Sequence, residues 1–88
     1  MKRETTIMVE NSEQEVKVVY NYSKLLGKIK EVYNTQEKFA LDLGIGRVSL
    51  SQRLNNKLEF TQNEMLESCK LLGVPKEKIP VYFFELRN

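Results

Sequence analysis

The chain has 88 residues, 41% of them hydrophobic and 30% charged, with a formal net charge of +2. That length supports one domain around one small core, and no apolar run approaches the roughly 20 residues a membrane span needs. There is no histidine and a single cysteine, Cys69, which removes the commonest acid–base catalyst and metal ligand and any internal disulfide.

Residues Thr5–Val9 and Val16–Tyr20 alternate apolar and polar side chains, and the polar run Asn11–Glu15 separates them, which predicts a β-hairpin. A two-stranded hairpin alone is marginal in water, so Ile7, Val9, Val16, Val18 and Tyr20 must find a surface. Three uses stay open for residues 1–20: a cap on the core, dimerisation through an edge strand, or an arm led by Lys2 and Arg3 that touches DNA. Residues 21–88 form the main body.

Asn21 or Ser23 can cap a first helix that runs to about Val32 or Tyr33. Leu25, Leu26, Ile29 and Val32 make its apolar stripe, and Gly27 inside it points to close packing against a neighbour. Thr35 caps a second helix from Gln36, whose buried face is Phe39, Ala40 and Leu43. Gly44 can take the left-handed conformation that ends a helix, Ile45 drops into the angle, and a third helix starts at Gly46 with Leu50 and Leu54 inward. Asn55–Phe60 is a turn-rich connector. Thr61-Gln62-Asn63-Glu64 is a capping box that opens a helix to about Leu72, with Met65, Leu66, Cys69 and Leu72 on its apolar face and Gly73 at its end. Cys69 on that face reads as core, neither nucleophile nor ligand. Pro75 suits the first turn of one more short helix. The tail IPVYFFELRN supplies Val81, Tyr82, Phe83 and Phe84, either to close the core or to form a dimer patch. The fold class is therefore mainly α, with four to five helices behind an N-terminal hairpin extension.

Chemistry concentrates on the third helix. With Leu50 inward and about 100° per residue, Val48, Ser51, Gln52 and Asn55 fall about 100–200° away, on the outward side. The stretch Gly46–Lys57 contains Arg47, Arg53 and Lys57 and no carboxylate, as suits a helix that passes between two rails of phosphate. Residues 22–60 carry a net charge of +3, against −1 before them and 0 after. In a major groove Arg47 can bind guanine through O6 and N7, Gln52 can pair with adenine, Val48 can pack on a thymine methyl, and Ser51 can donate or accept. Gln36 and its neighbours offer backbone N–H groups at a helix start, an anion site. Lys38, Ser49, Asn55, Asn56 and Lys57 are placed to hold phosphates, which fixes register and confers salt dependence.

The stretch QEKFALDLGIGRVSLSQRLN, residues 36–55, resembles the helix-turn-helix of the lambda-type phage repressors and Cro proteins. The shared positions are Gln36 opening the first helix, Ala40 four positions on, Gly44 in the turn and Leu50 midway along the second helix. With its flanks, from about Asn21 to Phe84, the chain is similar to small regulators of Gram-positive phages and prophages. The resemblance implies a lambda-repressor-like fold and a sequence-specific transcriptional regulator, most often a repressor, that reads a double-stranded DNA operator as a homodimer. It implies reading positions at Arg47 and Val48, with Gln36 buttressing them. Gly46 departs from the serine or threonine usual at the head of the recognition helix. The alternative is a protein-interaction module on the same fold, of the antirepressor or toxin-partner type, working through the hairpin or the Tyr82–Phe84 patch. No catalytic constellation, metal site or small-molecule cofactor is expected. Gly44-Ile45-Gly46 lacks the strand-before-helix context of a phosphate loop. The N-terminus has too few apolar residues for a secretory signal, so a cytoplasmic, nucleoid-associated protein is expected.

Overall fold

The computed structural model describes residues 18–87. Five α-helices follow one another: α1 (Ser23–Tyr33), α2 (Gln36–Leu43), α3 (Arg47–Leu54), α4 (Gln62–Leu72) and, after a 3₁₀ turn over Lys76–Lys78, α5 (Ile79–Phe83). None is long and apolar enough to cross a membrane. Helices this short are marginal alone in water. Their stability comes from a shared core of Tyr22, Leu25, Ile29, Phe39, Ala40, Leu50, Leu54, Phe60, Leu72 and Phe83, with Tyr20, Leu26, Leu43, Ile45, Met65 and Tyr82 packed against it.

The helix boundaries follow from local chemistry. The Thr35 hydroxyl accepts a hydrogen bond from Lys38 N–H at the start of α2. At α4 the capping box closes in both directions: Glu64 N–H donates to Thr61 Oγ1, and Thr61 N–H donates to Glu64 Oε1, both at 3.0 Å. The cap position of α1 falls on Tyr22, not on Asn21 or Ser23, and makes no side-chain cap bond. Asn21 Oδ1, one residue earlier, accepts from both the N–H and the hydroxyl of Ser23, the first residue of the helix. Three helices stop in the same way. At the end of α2, Ile45 N–H donates to Ala40 O and Gly44 N–H to Leu41 O; at α3, Lys57 N–H reaches Gln52 O and Asn56 N–H reaches Arg53 O; at α4, Val74 N–H reaches Cys69 O and Gly73 N–H reaches Lys70 O. These are Schellman ends, and each needs a left-handed residue, here Gly44 (φ 85°), Asn56 (φ 63°) and Gly73 (φ 71°).

Close approaches join α1 to α2, α4 and α5, α4 to α2 and α5, and α3 to α2. The ends of the described chain meet in a single antiparallel bridge between Tyr20 and Leu86. Asn21 N–H donates to Glu85 O at 2.7 Å and Arg87 N–H to Val19 O at 3.0 Å. On the other edge of Tyr20 the Asn56 carboxamide imitates a strand: Tyr20 N–H donates to Asn56 Oδ1 at 2.8 Å and Asn56 Nδ2 donates to Tyr20 O at 3.0 Å.

Several expectations change. Thr5–Val9 and the first two residues of Val16–Tyr20 lie outside the described residues, so the hairpin extension does not figure in the observed fold. Its last residue, Tyr20, pairs with Leu86 of the C-terminal segment. Val32 and Leu66 are exposed, because the helices in contact with α1 and α4 cover narrower stripes than sequence spacing implies. Gly27 is not in a tight contact, since nothing lies within 4 Å of where its Cβ would be. Ser68, not assigned to the core by its polarity, is fully buried. Of the tail aromatics only Phe83 enters the core; Val81 and Phe84 stay exposed.

Candidate nucleic-acid interface

α3 presents its faces as the helical wheel dictates. Leu50 and Leu54 are buried, while Arg47, Val48, Gln52 and Asn55 are exposed and Ser51, at the edge of the outward arc, is half-buried. Val48 leaves 71% of its surface open, and α2 adds Leu41, which is 78% exposed. The Gly46 nitrogen end of α3 has extended backbone and no side-chain cap, so the first turn of α3 keeps its amides uncovered by its own cap residue.

Gln36 and Arg47 line one open groove of about 480 Å³ in front of α3, together with Lys30, Asn34, Thr35 and Glu37. The structure thus brings together the start of α2, the start of α3 and a lysine of α1. Lys38 is exposed one turn into α2, and Lys57 is exposed just beyond α3. Ser49 is half-buried, and its carbonyl accepts from Arg53 Nη1 at 3.0 Å. Asn55 turns back on its helix, with Nδ2 donating to Ser51 O at 2.9 Å. Asn56, placed by sequence among the phosphate contacts, is engaged with the backbone of Tyr20. It ties the end of α3 to Tyr20.

Arg53 is the larger correction. Its Nε donates to Glu64 Oε1 at 2.8 Å and its Nη2 to Glu64 Oε2 at 3.2 Å, a two-pronged pair. The two side chains are only 14% and 15% exposed. Such forked pairs fix orientation as well as charge. One carboxylate therefore caps α4, through Thr61, and holds the base of α3. Burial pushes the Glu64 carboxyl up, but hydrogen bonds from Arg53 and the Thr61 backbone, with the charge of Arg53, outweigh it and hold the group below its ordinary 4.5. Of the three cations between Gly46 and Lys57, only Arg47 and Lys57 are exposed. Sequence spacing had no means of finding this pair. The capping box explained Glu64 locally, and the partner stands 11 residues away on another helix.

A small five-helix domain results, with a glycine-turned helix pair on one side and the polar face of its second helix bare. The chain belongs to the family described as a protein of unknown function (DUF739), whose pattern matches residues 18–86. A comparison with curated proteins finds no match. Among solved structures it is similar to the modulator of repression (MOR) of the temperate bacteriophage TP901-1 from Lactococcus lactis, a small phage regulator. The two are 40% identical, with a TM-score of 0.66 over 74% of this chain and 88% of that one.

Proposed function

We propose that this chain is a phage-type regulator of transcription, a homodimer that binds a double-stranded DNA operator through the outward face of α3. The observation that carries this reading is the freedom of that face. Arg47, Val48 and Gln52 are exposed together, their side chains without a hydrogen bond to another described residue, and the start of α2 stands beside Arg47 in the same groove. Side chains with no duty in the fold and with donor, acceptor and methyl groups in one arc suit base edges in a major groove. Gln36, Lys38, Ser49 and Lys57 flank the arc as candidates for phosphate. Likeness to a phage modulator of repression supports a role in the same kind of circuit.

Leu41 and Val48 favour a second reading. Two large apolar side chains, each more than 70% exposed, also suit a polypeptide surface, so the same face can engage another regulator instead of a duplex. Gel shifts with random-sequence duplex at low and moderate salt separate the two. A DNA-binding face gives a complex whose affinity falls steeply with salt; a face made for a polypeptide leaves the duplex unshifted at both concentrations.

A further inference from the structure

Where the chain enters and leaves the domain lies a box of aromatic rings that α3 does not use. Tyr20, Tyr22, Phe60, Phe83 and Phe84 line a recess of about 110 Å³ together with Met65 and Glu59. Neighbouring rings stand nearly perpendicular: Tyr20 to Phe84 at 77°, Tyr22 to Phe60 at 76° and Phe60 to Phe83 at 77°. Tyr22, Phe60 and Phe83 belong to the core, whereas Tyr20 is half-buried and Phe84 is 44% exposed. The box is preformed, because the Tyr20 backbone is clamped between Leu86 and the Asn56 carboxamide.

Its electrostatics favour one kind of visitor. Ring faces carry negative potential and attract cations, a guanidinium above all. Glu59 is exposed and makes no ion pair or side-chain hydrogen bond with another described residue. Burial pushes the Tyr22 hydroxyl up, with smaller contributions from Tyr20 and Glu59; of these groups only the Glu59 carboxylate carries negative charge at neutral pH. Among the described residues no lysine or arginine lines the recess, so they offer phosphate no counter-charge there. Leu58, next to Glu59 in the chain, and Leu86, opposite Tyr20 in the bridge, are both exposed.

We propose that this box receives an arginine side chain, flanked by apolar residues, from a partner polypeptide. The volume admits a guanidinium and the methylenes behind it, and the exposed Leu58 and Leu86 offer apolar surface for the neighbours of that arginine. The surface is separate from the outward face of α3, so the proposal holds whichever reading of α3 is right.

The probe is a blocked Leu-Arg-Leu peptide titrated into the full chain by NMR, against the same peptide with citrulline, which keeps the shape and removes the charge. The arginine peptide should move the ring signals of Tyr20, Tyr22 and Phe84 saturably, and the citrulline peptide should bind about tenfold more weakly. Glu59→Gln, at an exposed position, should weaken the arginine peptide by a similar factor, and Phe84→Ala should abolish the response. Equal binding of both peptides, an unchanged affinity in Glu59→Gln, or no saturable shift would each overturn the proposal.

Discussion

Arg47 and Arg53 sit at opposite ends of α3 and differ in everything but charge. Arg47 stands exposed at the mouth of a groove, while Arg53 is folded back onto Glu64 and a backbone carbonyl of its own helix. A buried two-pronged pair is costly to break, because the remaining partner keeps its desolvated charge. An exposed arginine contributes almost nothing to the fold. One helix thus divides its two cations between anchoring and recognition, and a count of basic residues cannot tell which is which.

The sharpest way to break this contrast is to remove Glu64. Glu64→Ala strands Arg53 and opens the capping box of α4, at a cost of about 3 kcal/mol. Arg47→Ala should stay within about 0.5 kcal/mol of the parent. Urea denaturation of the two variants measures both, and equal losses would erase the distinction. On DNA the order reverses. Arg47→Ala should relax the preference at one base pair, a change of about 1–3 kcal/mol in discrimination. Lys57→Ala should weaken all sequences alike and make the salt slope shallower by about one, as competition binding at several salt concentrations would reveal.

Acid offers a smaller and more specific test. The folded Glu64 carboxyl is held below its ordinary 4.5, so its stabilising contribution is complete above that value and drains away as pH falls through the lower folded value. Thermal melts between neutral pH and pH 3 should show this loss, and Glu64→Gln should flatten that part of the profile. The smallest effect is expected at Gly27, exposed and with open space where a Cβ would stand. Gly27→Ala should stabilise by up to about 1 kcal/mol and leave duplex binding unchanged.

Local signals in the sequence located most of the helices. Thr35, Gly44, Thr61 and Gly73 mark boundaries because caps and left-handed ends are decided within a few residues, and the inward set Phe39, Ala40, Leu50 and Leu54 follows from helical spacing. Long-range partners were beyond such signals. Asn56 looked like a polar loop residue until its carboxamide met Tyr20, and Arg53 looked like Arg47. Ser68 is buried although its hydroxyl finds no partner among the described residues, a cost that polarity alone does not anticipate. Leu66 and Val32 share the apolar stripes of their helices, yet no helix comes to cover them.

The most direct test of the account is selection of bound sequences from a random duplex pool, run in parallel with the parent protein and with Arg47→Ala. A duplex-reading α3 predicts enrichment of a two-fold symmetric site with half-sites about 34–36 Å apart, and loss of preference at one symmetric base pair in the variant. A pool that stays unenriched at low salt, with the protein shown to be folded, would contradict it.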